Sequence, residues 1–209
     1  MFAAWLIFLS LLFDGLDGRV ARLTNTTSSF GLEFDSLADI VAFGVAPALM
    51  MYLYVANQFG RIGIAISAIF IIFGAIRLAR FNVVKINIEP NVFIGLPIPM
   101  AAILISCGVL FFESYKELAD FKFLLLVLAF ALSVLMVSNI RYPSFKTLRL
   151  KSIYFIRALI LITATVLVAF VYPLETFILL GFGYMLYGPL RALFYMITKR
   201  FINSTKSDI

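Results

Sequence analysis

The chain is 209 residues long, 63% hydrophobic and only 13% charged, with a mean hydropathy of +1.06. Those proportions exclude a soluble globular domain and a disordered chain, and the long unbroken apolar runs exclude a transmembrane barrel, whose strands alternate apolar and polar residues. A net charge of +6 would suit nucleic acid, but the basic residues stand in short connections between apolar runs, where they set topology and meet anionic lipid headgroups; no nucleic-acid partner is expected.

The reading is therefore all-α: a polytopic transmembrane helical bundle of about seven helices, forming a single integral-membrane domain over residues 1–209. A first helix runs from Met1 through FAAWLIFLSLLF into Asp14. Thirteen residues fall short of the ~20 that a span needs. Either Asp14–Ala21 continues the helix below the hydrocarbon edge, or something ahead of Met1 is missing. Thr24–Ser29 is a polar turn whose Asn25-Thr26-Thr27 matches a glycosylation sequon, too short a motif to carry weight. A second helix runs from about Gly31 to Ala56 with Pro47 as a candidate kink, and Asn57–Arg61 is a turn. The third, roughly Ile62–Ala79, ends in the polar knot RLARFN (Arg77–Asn82). Val84–Pro97 reads as an irregular connection. Helix four continues to about Phe112, followed by a charged turn, and helix five covers about Phe123–Ser138. A basic loop, Arg141–Lys151, precedes helix six at about Tyr154–Val171. Helix seven covers about Leu174–Thr198, with a polar frayed tail from Lys199.

Alternate loops of such a bundle share a side. Fourteen of the 17 Lys and Arg fall on the side that holds Asp14–Asp39, against Arg61, Lys116 and Lys122 on the other. This positive-inside bias puts that side in the cytoplasm, with the N-terminus outside and the C-terminus inside.

The chemistry concentrates between Asp14 and Asp39. Asp14 and Asp17 are three residues apart and Asp35 and Asp39 four apart, so each pair shares a helix face. One carboxylate in such apolar surroundings costs at least ~2.5–3.5 kcal/mol, and four facing each other call for a bound divalent metal. Hard oxygen ligands suit Mg²⁺, Mn²⁺ or Ca²⁺; with no histidine and a single cysteine, Cys107, zinc is disfavoured. Two ions some ~3.5–4 Å apart would clamp a pyrophosphate. Gly18 and Ala21 leave room for a flat ligand such as a nucleotide base, Arg22 offers a planar fork to a phosphate, and Asp39 is the candidate base for an alcohol acceptor. Carboxylates in membrane helices also mark cation or proton transporters, but here they gather at one edge beside arginines, as suits a headgroup reaction.

The pattern Asp14-x-x-Asp17-Gly18-x-x-Ala21-Arg22, eight residues, then Gly31-x-x-x-Asp35-x-x-x-Asp39 resembles, without a gap, the signature of the CDP-alcohol phosphotransferases. DSLADIVAFGVAPA from Asp35, RLARFN and FIGLPIPMAA at Phe93–Ala102 resemble the phosphatidylserine synthase branch, over at least Phe13 to about Pro143. The resemblance implies transfer of a phosphatidyl group from CDP-diacylglycerol to the hydroxyl of L-serine with release of CMP. Glycerol 3-phosphate and inositol phosphate are alternative acceptors within the family. It implies Asp14, Asp17 and Asp35 as metal ligands, Asp39 as proton acceptor and ligand of a second ion (Mg or Mn), and Gly18, Ala21, Arg22, Ser28 and Gly31 as the CDP-diacylglycerol site. It also implies a homodimer in a bacterial inner membrane. Arg77, Arg80 and Asn82, on the same membrane face, are candidates for the serine carboxylate or a lipid phosphate. The family has a further helix ahead of the first aspartates, which a misassigned start or a shortened chain would remove. Arg19 reads as an interfacial anchor and Glu33 as solvated. The tyrosines of helix seven read as belts or packing, and Leu186–Pro189 as a kink.

Overall fold

The computed structural model describes residues 1–84, 92–143 and 152–207. Among these, helices α1 (Phe2–Leu23), α2 (Ser29–Asp39), α3 (Ala46–Tyr54), α4 (Gly60–Val84), α5 (Ile98–Ser114), α6 (Leu124–Val137), α7 (Ser152–Val171) and α8 (Pro173–Ser207) follow in order. A π-helical turn, Ile40–Val45, joins α2 to α3 without a break, so the eight make seven rods, as the hydropathy pattern predicts. Lys85 and the basic residues Lys146, Arg149 and Lys151 lie outside the described residues.

The π turn has a local cause. Pro47 lacks the N–H that would continue the α ladder to Phe43. Just ahead of it the bonding widens, the Ala46 N–H donating to the Val41 carbonyl five residues back. The expected kink is thus a π turn starting directly after Asp39, the kind of irregularity that re-aims side chains at functional sites. α5 opens with Pro99 in its first turn, where the missing donor costs nothing.

The connection expected to be irregular contains a strand. β1 (Val92–Ile94) pairs antiparallel with β2 (Arg141–Pro143), Phe93 opposite Tyr142. Gly95 follows at φ +76, where L side chains are rare, and its N–H donates to the Ile140 carbonyl at 2.9 Å. The ribbon is pinned to α8: Tyr142 is fully buried, its hydroxyl donates to the Met185 carbonyl at 3.2 Å, and its ring occupies the space a side chain at Gly188 would need. α8 itself continues to Ser207, past the point where a frayed tail was expected.

α5 is the buried centre of the bundle. Ala101, Ala102, Leu104 and Ile105 are at most 1% exposed, and the helix packs against α1, α3, α6 and α8. α4 packs chiefly on α6 and on the turns flanking α3. Outward faces are rows of apolar residues such as Leu9, Leu53, Ile72, Val127, Val168 and Leu179. Three helical stretches among the described residues, 29–54, 56–83 and 173–195, are long and apolar enough to cross a bilayer. With backbone hydrogen bonds satisfied inside each helix and apolar side chains turned outward, this is an all-α membrane bundle.

Candidate active site

The site forms where α1 and α2 turn back on each other. The reversal runs through Asn25, which adopts φ 55, a left-handed conformation that asparagine tolerates better than most residues. The Thr26 N–H donates to the Ala21 carbonyl at 3.0 Å. Ser28 then starts α2 as its N-cap, Oγ accepting from the Gly31 N–H at 3.0 Å. Asp14 of the first pair and both members of the second, Asp35 and Asp39, are thereby brought together.

Asp14 from α1 and Asp35 and Asp39 from α2 converge, each offering a carboxylate oxygen within 4.8 Å of the others. Oxygens sharing one Mg²⁺ at 2.0–2.1 Å are at most about 4.2 Å apart, within a small side-chain rotation of this arrangement. Asp17 is not in that group: its carboxylate accepts a hydrogen bond from the N–H of Gly18 beside it, although its charge still bears on Asp14.

The three carboxylates open into a cavity of about 410 Å³ whose other wall is the end of α4, with Arg77, Leu78, Phe81 and Asn82, and the start of α5, with Pro97 and Pro99. α4 runs on through RLARFN to Val84, and this decides which of its polar residues face the cavity. At about 100° per residue, positions 77, 78, 81 and 82 share one side and position 80 falls outside it. Arg80 is accordingly directed to α6, its Nη1 donating to the Val137 carbonyl at 3.2 Å and its Nη2 to Asn139 Oδ1. Asn82 donates from Nδ2 to Ser36 Oγ at 2.9 Å, tying α4 to the helix that carries Asp35 and Asp39. Arg77 is 7% exposed, lies 5.2 Å from the centre of the Phe81 ring, and is near enough to Asp39 for their charges to attract.

The charges do not balance. Among the described residues, Asp14, Glu33, Asp35 and Asp39 line the cavity against the single guanidinium of Arg77. Two carboxylates 4 Å apart repel by roughly 4 kcal/mol at an effective dielectric of about 20, so the set is built for added positive charge. An all-oxygen set of this kind fits a hard divalent cation.

The residues expected at the nucleotide-lipid head are set apart from this cavity. Gly18 has no atom within 4 Å of where a side chain would begin, Arg22 Nε donates to the Gly18 carbonyl at 2.8 Å, and Ala21, Ser28 and Gly31 line the same α1–α2 reversal. Residues that sequence reasoning missed are Glu33, placed on the cavity rim rather than simply in solvent; Ser36, the partner of Asn82; and Phe81, beneath Arg77. Tyr184 of α8, read as packing, is near enough to Arg77 to feel its charge. Of these, Phe81 lies in RLARFN and Ser36 in DSLADIVAFGVAPA.

Residues 1–197 match the family described as CDP-alcohol phosphatidyltransferase. The chain is 52% identical over 206 residues, 98% of its length and 85% of the relative's, to a CDP-diacylglycerol–serine O-phosphatidyltransferase of Helicobacter pylori. It is 43% identical over 143 residues to an archaetidylserine synthase of Methanothermobacter thermautotrophicus, covering 68% of this chain and 58% of that one. A CDP-diacylglycerol–serine O-phosphatidyltransferase of Bacillus subtilis is 38% identical over 144 residues, 69% of this chain and 76% of that one.

Proposed function

The chain belongs to the CDP-alcohol phosphatidyltransferase family, and from that premise we propose that it transfers a phosphatidyl group from CDP-diacylglycerol to the hydroxyl of L-serine, releasing CMP. The names of relatives matched over most of its length support the reaction. The observation that carries the site is the convergence of Asp14, Asp35 and Asp39 within 4.8 Å across a cavity from a buried arginine.

Asp14, Asp35 and Asp39, joined by Asp17 once its carboxylate turns away from Gly18, would hold divalent metal, which we take to be two ions of Mg or Mn. Bound there, the metal neutralises the diphosphate and stabilises charge in the displacement. Asp39 accepts the proton of the serine hydroxyl as its oxygen bonds to the phosphorus that carries the diacylglycerol. The bond from that phosphorus to the bridging oxygen breaks, and CMP leaves with that oxygen. Asp39 suits this role because it is half-buried at the lip of the π turn, facing the cavity. Gly18, Ala21, Arg22, Ser28 and Gly31 form the surface on which the nucleotide end rests. Glycerol 3-phosphate or inositol phosphate would bring a dianion to a cavity that Arg77 alone of the described basic residues lines, so the charge balance among the described residues favours serine.

We take residues 1–209 to act as one domain, in a homodimer of a bacterial inner membrane; the positive-inside count supports a cytoplasmic orientation of the site. The test supplies CDP-diacylglycerol and Mn²⁺ or Mg²⁺ with serine, glycerol 3-phosphate or inositol and follows CMP. Serine-dependent release is expected. No CMP from any acceptor overturns the enzyme reading, and release with another acceptor but not serine overturns the assigned substrate.

A further inference from the structure

Arg77 has a property the displacement itself does not use. It is 93% buried by its 7% exposure, yet its Nε has no hydrogen-bond partner. A buried guanidinium donor left without an acceptor is costly, and the Phe81 ring lies 5.2 Å from the same guanidinium. It lines the same cavity as Asp39 and is the only cation among the described residues that do so.

We propose that Arg77 is the acceptor-carboxylate site: its planar fork, held by Phe81, takes the α-carboxylate of a small hydroxy amino acid and so presents the hydroxyl to Asp39. The proposal rests on the serine-transfer reading above and deepens it. Asp14, Glu33, Asp35 and Asp39 on the facing wall are occupied with metal and diphosphate on this reading, which leaves Arg77 for the carboxylate, and a guanidinium matches a carboxylate with two parallel bonds. Arg80 is spent on Val137 and Asn139. Asn82 gives one amide N–H to Ser36, which ties this wall to α2 and makes it a positioning residue.

The discriminating acceptor is serinol, identical to serine except that a hydroxymethyl group replaces the carboxylate. The full chain in detergent with CDP-diacylglycerol and Mn²⁺ should prefer serine over serinol by roughly 100-fold or more in kcat/KM, because a site built to bond a polar group rejects the analogue lacking it. In Arg77→Gln that preference should collapse at least tenfold, carried by the KM for serine, while the KM for CDP-diacylglycerol stays within about twofold. Arg77→Lys, which keeps the charge and loses the fork, should fall between. Loss of serine and serinol turnover in equal proportion overturns the proposal. So does a KM rise confined to CDP-diacylglycerol, which would put Arg77 on the lipid diphosphate. If the Gln variant does not fold, the Lys variant decides by the same ratio: a reduced serine preference supports the site and an unchanged one overturns it. Absence of serine-dependent CMP release by the unaltered chain is a different result, and it sinks the parent reading instead.

Discussion

The two walls of the cavity are built on different principles. At the α1–α2 reversal, beside the aspartates, the bonds of Asp17 with Gly18, Arg22 with Gly18 and Ser28 with Gly31 are local, spanning one, four and three residues. On the α4 wall they reach across the fold: Arg80 to Val137, Arg80 to Asn139 and Asn82 to Ser36 span 57, 59 and 46 residues. Asp35 and Glu33 are exposed and Asp14 and Asp39 half-buried, whereas Arg77 is buried. A wall of short-range contacts can yield a few tenths of an ångström to gather an ion and a diphosphate; a wall locked by long-range contacts is suited to fixing one acceptor. On the proposed reading, the first side would bind metal and diphosphate and the second would select the acceptor.

Attacking the aspartate wall should have the largest effect. Chelation of divalent metal should abolish CMP release, with Mn²⁺ or Mg²⁺ restoring it. Asp39→Asn should lower turnover by about 10²–10⁴-fold, the range of a lost general base, while metal-dependent nucleotide binding followed by calorimetry persists. Asp14→Asn should lose both. Activity in Asp39→Asn equal to the parent would remove it as the base.

Asp17 sharpens the division within that wall. Because its carboxylate is turned onto Gly18 and not toward the other three, Asp17→Asn should keep metal-dependent turnover that Asp14→Asn loses, with a raised Mn²⁺ concentration for half-maximal rate. Loss of turnover as complete as in Asp14→Asn would show that Asp17 swings fully into the ligand set and that the wall rearranges more than its local bonds suggest.

On the rigid wall, Arg80 and Arg77 should separate. Arg80→Ala removes a partner from the last carbonyls of α6, which a helix end cannot satisfy by itself. It should cost about 1–3 kcal/mol of stability, read as a lower melting temperature in detergent. The serine-over-serinol ratio should not change. A changed ratio without loss of stability would move Arg80 from the scaffold to the acceptor site.

The same contrast explains what could be read in the chain beforehand. The apolar runs define seven rods because each is long and bounded by Pro, Gly or charge, and the aspartates announce themselves because their spacing is a property of one helix at a time. RLARFN could be placed on the right face but not divided, since the split between Arg77 and Arg80 depends on α4 continuing to Val84 and on where α6 ends. The pairing of Phe93 with Tyr142 was illegible: two three-residue strands separated by some 50 positions leave no periodicity to detect. The π turn at Ile40–Val45 is half-legible: Pro47 signals a break in the helix ladder but not that the break takes a π form.

Ser28 carries the smallest effect and tests how far the family's pattern speaks for this chain. The resemblance places it on the CDP-diacylglycerol head; the geometry shows its Oγ capping α2. If the cap is its whole role, Ser28→Ala should cost about 1 kcal/mol, and Ser28→Asp, another strong N-cap residue, should cost next to nothing. Neither would move the KM for CDP-diacylglycerol beyond what the loss of folded protein explains. If Ser28 also touches the diphosphate, the introduced carboxylate repels it and Ser28→Asp becomes the worse of the two, raising that KM while the melting temperature holds. The order of the two variants, more than the size of either effect, therefore says whether the open wall receives its lipid nucleotide at the start of α2.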